Sequence, residues 1–251
     1  QLLFIILFLG IYLTNYAQLS KKHYLPPITS ADAIDNQYIY ISTPKNQNIS
    51  FKIIPIGQPE TSIIIGTVSN ITSYETSSTA IGNQLFQNSN STSVITNNKG
   101  YIIEADDVIY VSVRMRSQNG YQAGAIVSKG NSALGTDFRM GGFSNNSPAG
   151  GSLNFVSVMA TEDDTNVNFD DISPGITINN YTQTGINPIN ITLDEGETYI
   201  VSVSLDSGGD PNDLIGTLVN SDKPIVVNSG SATGSFAVGN GRDYGVDQIV
   251  D

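Results

Sequence analysis

Short segments in which apolar and polar residues alternate recur along this sequence. Thr165–Phe169 and Ile189–Leu193 alternate strictly, and Thr198–Val203 is another short apolar segment. A period of two places one set of side chains in a core and the other in water, as in a half-buried β-strand. Turn-forming residues separate these segments, for example at Asp194–Glu197 and Ser221–Pro224. The pattern predicts an all-β, mostly antiparallel fold.

The composition excludes several classes of protein. The chain has no cysteine and one histidine, which rules out a disulfide scaffold and a cysteine–histidine zinc site. Its net charge of -12 argues against nucleic acid as a partner, because binding to a phosphate backbone needs clustered Lys and Arg. Charged residues make up 14% and hydrophobic residues 39%, which does not fit charge-driven disorder.

The N-terminal segment is almost entirely apolar. Leu2–Leu13 contains no charged residue and is followed by Thr14–Gln18. A helix that spans a bilayer needs about 20 such residues, so this segment is too short. We predict that residues 1–17 are a signal peptide whose initiating Met is missing, with cleavage after Ala17. A buried strand or an uncleaved anchor is the alternative. The prediction implies a secreted or cell-surface protein with no membrane span in the mature chain.

The chain also resembles itself. Tyr40–Phe51 is similar to Val158–Phe169, and Ile102–Val111 is similar to Leu218–Val227. The two blocks recur in the same order at nearly the same spacing, which indicates two copies of a unit of about 115 residues. Chance similarity between β-hairpins is the alternative.

This repetition predicts a domain organisation. We expect a linker at residues 18–36, a first β unit at 37–150 and a second β unit at 151–251. Each unit has enough predicted strands for a small β-sandwich. A set of β-propeller-like blades, which also consist of short antiparallel strands, is the alternative fold.

Four motifs carry a resemblance to a known family. They lie at Leu134–Arg139, Ala160–Val167, Thr192–Tyr199 and Leu214–Gly230, and they include the sequences ATED, GETY and SDKP. In this order they resemble the IgGFc-binding-protein N-terminal domain family, over roughly Gln37–Asp251.

The resemblance implies a context and a partner. Bacterial members of the family occur near the N-termini of large secreted Bacteroidetes surface proteins, many with gliding-motility or type IX secretion regions. Family members continue past this point, so the second unit is expected to be truncated. The expected partner is a protein or glycan surface ligand. Antibody binding belongs to the family's namesake, and no binding residue is defined that maps onto this sequence.

Few residues are candidates for catalysis. His23 is the only histidine and lies close to the predicted signal peptide, outside both β units. A Ser–His–Asp triad needs a histidine held in a packed cleft, so His23 is a poor candidate for a residue of this kind. Clustered carboxylates at Glu162–Asp164, Asp170–Asp171 and Asp206–Asp213 could instead serve a glycosidase, as acid and base or nucleophile.

One acidic loop is a candidate calcium site. Asp206, Asp210 and Asp213 lie in a glycine-containing loop, and Ca²⁺ binds six to eight oxygen ligands of this kind. The loop lacks the D-x-[DN]-x-[DN]-G spacing of an EF-hand. The alternative is that these residues are solvated turns. No other cofactor is expected.

These observations favour a non-catalytic extracellular adhesion or recognition module of a large secreted bacterial surface protein. A secreted carbohydrate-active hydrolase that uses paired carboxylates is one alternative, and it requires two acidic side chains that converge in one cleft. A structural stalk spacer is another.

Overall fold

The computed structural model describes residues 18–77, 83–117, 122–144, 150–182, 188–234 and 243–251. The predicted signal peptide, residues 1–17, lies outside the described residues. The regular elements are β-strands and short 3-10 turns, and the described residues contain no α-helix. The strands are β1 Leu19–Leu25, β2 Ile28–Ser30, β3 Ile34–Ser42, β4 Ile49–Pro55, β5 Ile64–Val68, β6 Tyr74–Ser77, β7 Phe86–Asn88, β8 Tyr101–Ser117, β9 Ala123–Val127, β10 Gly135–Arg139, β11 Leu153–Ala160, β12 Thr165–Asp170, β13 Ile189–Leu193, β14 Thr198–Ser204, β15 Leu218–Gly234 and β16 Asp243–Gln248.

The strands form two seven-stranded sheets with the same strand order. In the first sheet the order is β5-β4-β8-β3-β6, with β1 and β9 also paired to β8. In the second it is β13-β12-β15-β11-β14, with β10 and β16 also paired to β15. Pairing within both sheets is antiparallel, and the small β2–β7 sheet is parallel. The all-β, mostly antiparallel prediction is confirmed, and the two sheets fit two tandem β units.

A 17-residue strand lies at the centre of each sheet. The first part of β8 pairs with β1 and β4, and its second part pairs with β3 and β9. The strand β15 has the matching partners β10, β12, β11 and β16. One long strand therefore connects two groups of shorter strands, and the sheet curls around a core.

The second sheet packs against the first through β11 and β14, which are buried along their whole length. One face of these strands, with Val156 and Val158, lies in the core of the second sheet. The opposite face, with Phe155 and Ile200, belongs to the core cluster of the first sheet. Burial on both faces explains why the sequence of β14 does not alternate.

Backbone hydrogen bonds also connect the first half of the chain to the edge of the second sheet. Ser93 donates its backbone N–H to the Ile200 carbonyl at 2.9 Å. Thr96 and Thr198 exchange two backbone hydrogen bonds, each of 2.9 Å. This loop covers an edge strand that would otherwise expose hydrogen-bonding groups.

A buried histidine lies where the two sheets meet. His23 on β1 is 0% exposed, and its Nε2 lies 3.1 Å from the Ile109 carbonyl. Its Nδ1 lies 2.9 Å from Ser128 Oγ, which is 3.1 Å from Gln248 Oε1 on β16 of the second sheet. Gln248 Nε2 donates back to the Tyr24 carbonyl at 2.9 Å. These contacts join β1, Ser128 directly after β9, and β16.

Close backbone approach marks the same junction. A methyl group added at Gly124 on β9 would lie 2.6 Å from Cβ of Tyr244 on β16. Only a residue without a side chain fits at this distance. Next to it, Ala123 donates its backbone N–H to Asp243 Oδ1 at 3.0 Å.

The structure differs from the predicted domain boundaries. Within the predicted linker 18–36, Leu19–Leu25 and Ile28–Ser30 are strands, and His23 is a buried residue of the first sheet rather than a residue outside both β units. Gly135–Arg139 pairs with β15, so the second sheet begins before residue 151. In both cases the partner of the missed strand lies far away in the sequence, and local pattern gives no sign of such pairing.

Matched positions in the two sheets test the packing between them. Phe155 lies opposite Gly230 and Ser202, and Tyr38 has the same place in the first sheet, opposite Arg114 and Ser77. Because Phe155 is fully buried, Phe155→Ala should lower the free energy of unfolding by about 3–5 kcal/mol. Tyr38→Ala should cost about 1 kcal/mol or less, because Tyr38 is only half-buried. Chemical denaturation of both variants measures the difference, and equal losses would contradict the packing described.

The pKa of His23 predicts a pH dependence of stability. Burial lowers the pKa of His23 from 6.5 to about 4. Between these two pH values the unfolded chain therefore binds a proton that the folded chain does not bind. As a result, part of the free energy of unfolding that is present above pH 6.5 is lost as the pH falls toward 4. The loss should amount to roughly 3 kcal/mol.

The His23→Gln variant, which has no imidazole, is the control. Denaturant unfolding of both proteins at several pH values between 4 and 7 should show a smaller pH dependence in the variant. Parallel curves for the two proteins would show that His23 is not the group responsible.

Candidate functional site

The three aspartates of the predicted calcium site lie on two short 3-10 turns that follow β14. Asp206 Oδ2 accepts the backbone N–H of Gly151 at 2.9 Å. Asp210 caps the second turn by accepting the backbone N–H of Asn212 at 2.9 Å, and its carbonyl accepts the N–H of Asp213 at 3.0 Å. Two of the carboxylates thus serve local structure.

The calcium site stays a prediction. Thermal melting with and without a chelator tests it, because an unchanged midpoint would rule it out.

The acidic residues Glu162–Asp164 occupy an exposed turn between β11 and β12. Asp163 Oδ1 accepts the backbone N–H of Glu195 at 3.0 Å, and Asp164 donates its N–H to Asp194 Oδ1 at 3.2 Å. These bonds join two neighbouring turns. Such a use of Asp side chains is typical of turn structure.

The two acidic regions lie at opposite ends of the second sheet. The strand β14 separates the turn that contains Glu195 from the turn that contains Asp206, and its 7 residues span roughly 20 Å. Paired carboxylates of glycosidases are about 5–9.5 Å apart. The structure therefore does not bring Asp163 and Asp206 together. The described residues also contain no cluster of three or more His, Cys, Asp or Glu that could hold a metal ion.

A different set of side chains lies together on the outer surface of the first sheet. Alternation in β3 and β8 directs Ile39 and Val113 into the core. The residues that precede and follow them in each strand lie on the opposite face. We call this surface the Tyr–Arg face. It consists of the half-buried Tyr38, Tyr40 and Ser112 and the exposed Arg114 and Arg116, with the exposed Glu75 of β6 beside Tyr40.

The Tyr–Arg face has an ordered geometry. Arg114 Cζ lies 5.0 Å from the centroid of the Tyr40 ring, within the range of a cation–π interaction. The ring centroids of Tyr38 and Tyr40 are 6.5 Å apart. Burial and a hydrogen bond with Glu75 raise the pKa of Tyr40, so its hydroxyl stays protonated at neutral pH. Tyr38, Arg114 and Arg116 line a shallow depression of about 260 Å³.

This combination is suited to binding a macromolecule. Tyrosine and arginine are enriched among the residues that dominate the energy of protein interfaces. They supply flat apolar area together with hydroxyl and guanidinium donors. The sequence alone does not reveal the face, although Tyr38 and Tyr40, like Arg114 and Arg116, are two positions apart in it. That spacing in a strand puts both members of each pair on one side, but nothing in the sequence shows that β3 and β8 are neighbours.

The described part of the chain contains no helix that is long and apolar enough to cross a membrane. Searches of curated proteins and of solved structures found no match. The family model described as IgGFc binding protein matches residues 123–251, more than half of the chain. The matched region contains β9 and every strand of the second sheet. The chain therefore belongs to the IgGFc binding protein family.

Proposed function

We propose that this chain is a non-catalytic extracellular recognition module that binds a protein ligand. The observation that carries the proposal is the family match over residues 123–251. The family is named after a protein that binds the Fc region of immunoglobulin G, which is a protein ligand.

Features of the described residues support a binding role. The acidic residues that the sequence suggested for a hydrolase do not share one cleft, because Asp163 and Asp206 are hydrogen-bonded in separate turns. The Tyr–Arg face offers an exposed and largely flat surface, and its depression of about 260 Å³ is smaller than the clefts of ~300–1,000 Å³ that hold most small ligands. A flat surface of this type fits a protein better than a small molecule.

The cellular context is also part of the proposal. A signal peptide at residues 1–17 would direct the chain to the cell surface or the medium. The resemblance noted from the motifs favours a large secreted bacterial surface protein of the Bacteroidetes type, in which this chain would be one module. A family whose namesake binds an extracellular protein is consistent with that location.

A binding screen tests the proposed function. The secreted chain is applied to an array of extracellular proteins, which includes immunoglobulin G Fc, and to a glycan array. We expect saturable binding to at least one protein and no release of sugar from any glycan. The double variant Asp163→Asn/Asp206→Asn should bind the same protein with unchanged affinity, because these carboxylates lie in turns.

Three results would contradict the proposal. Release of sugar that is lost in the double variant would support the hydrolase with paired carboxylates. Saturable binding to glycans alone would make this a glycan-recognition module. An absence of binding on both arrays would support the structural spacer.

A further inference from the structure

The Tyr–Arg face has a counterpart in the second sheet. In β3 and β8, Tyr38 lies opposite Arg114, and in β11 and β15 the corresponding pair is Phe155 and Gly230. Two positions further along each long strand, Arg116 corresponds to Ala232. The correspondence follows from the shared strand order and the pairing register of the two sheets.

The counterpart face is an interface within this chain. Phe155 and Ala232 are fully buried and belong to the hydrophobic core of the first sheet. Ile200 on β14 belongs to the same cluster and takes the place that Glu75 has on β6. In the second sheet, the outer face of this half is therefore a packing surface, because its side chains are apolar. The corresponding face of the first sheet is formed by strands in the same order and has different side chains.

The side chains of the first sheet call for a different kind of partner. Where the second sheet has Phe, Gly and Ala, the first has Tyr38, Arg114 and Arg116. Buried guanidinium groups need hydrogen-bonding partners of opposite charge, because an uncompensated buried charge is strongly destabilising. An apolar surface like the one that covers Phe155 would not supply them. A carboxylate would, because its two oxygens match the planar guanidinium.

The charges of the chain support this choice. The chain has a net charge of -12 and four arginines, and two of these lie on the Tyr–Arg face. Among the described residues, no ion pair involves Arg114 or Arg116. Four other cations of the described region are paired with carboxylates of the chain: Lys22 with Glu104 and Glu195, Lys45 with Asp107, Lys129 with Asp247, and Arg139 with Asp171.

We propose that the Tyr–Arg face docks an acidic protein surface, whose carboxylates pair with Arg114 and Arg116 while its apolar atoms pack on Tyr38 and Tyr40. This inference rests on the proposed function and deepens it, because it names the binding surface and the chemistry of the partner. The contact is reversible, since the face is polar enough to be exposed in the free protein.

A labelled acidic polypeptide tests the charge preference directly. Fluorescein-labelled poly-L-glutamate is titrated with the chain at low salt, and its fluorescence anisotropy is measured. We expect saturable binding that weakens as salt is added. The variant Arg114→Gln/Arg116→Gln should bind about tenfold more weakly or worse, because two charge-assisted contacts are lost.

A matched variant controls for net charge. Lys21→Gln/Lys52→Gln removes the same number of positive charges from exposed positions on β1 and β4, away from the Tyr–Arg face. It should bind poly-L-glutamate within about twofold of the unchanged chain, because a distant surface charge contributes little. Thermal melting of both double variants shows whether each is folded. If Arg114→Gln/Arg116→Gln does not fold, Arg114→Lys/Arg116→Lys replaces it. This variant keeps the charge and should bind with intermediate affinity.

Several outcomes would overturn the inference. Equal loss of binding in Arg114→Gln/Arg116→Gln and in Lys21→Gln/Lys52→Gln would show an effect of net charge without a specific surface. A lack of saturable binding to poly-L-glutamate would exclude an acidic partner, and arginine-dependent binding of heparin alone would assign the face to sulfated glycans.

The protein ligand from the array screen separates this inference from the proposed function. If that ligand binds the arginine variant with unchanged affinity, the chain is still a recognition module but this face is not its binding surface. If the array yields no ligand, the proposed function fails, and the titration with poly-L-glutamate still reports on the face.

Discussion

The structure depends on one long strand in each sheet that pairs with four others. Tyr101–Ser117 and Leu218–Gly234 each have 17 residues, and each has one pair of neighbours along its first part and another pair along its second part. No shorter strand could hold both groups together, because each group occupies only part of the length. The inward side chains of the long strands, such as Ile109 and Ile225, are fully buried. The strand order, the curl of the sheets and the two cores all follow from this arrangement.

The junction between the sheets combines apolar packing with a buried polar network. Phe155 and Ile200 enter the core of the first sheet, while His23, Ser128 and Gln248 connect polar groups across the boundary. Buried polar groups of this kind are tolerated because each has a hydrogen-bonding partner. Corresponding faces of the two sheets therefore have different roles in this chain. In the second sheet the face is apolar and buried, and in the first it is an exposed surface of tyrosine and arginine suited to a reversible partner.

Local patterns predicted much of this fold. Alternation at Thr165–Phe169 and Ile189–Leu193 indicated strands that the structure contains as β12 and β13. The residues Thr43 and Thr161, which align the two similar segments, donate side-chain hydrogen bonds to the carbonyls of Val108 and Pro224 at matching places in the two sheets. The strand β1 was missed, because Lys21 and Lys22 interrupt its apolar pattern and its partner β8 lies far along the chain.

The sequence by itself determined most of the strand content, the two-unit arrangement and the acidic turns at Glu162–Asp164 and Asp194–Glu197, because alternation and turn residues depend on neighbours in the chain. The turn predicted at Ser221–Pro224 was wrong, because these residues lie inside β15, where pairing with distant strands keeps the chain extended. Only the tertiary structure decided which strands pair, and through this the burial of His23 and the meeting of Tyr38 and Tyr40 with Arg114 and Arg116. The physical reason is that a strand satisfies its backbone hydrogen bonds with any suitable strand. The choice among them depends on how the long central strands and the packing between the sheets bring distant segments together.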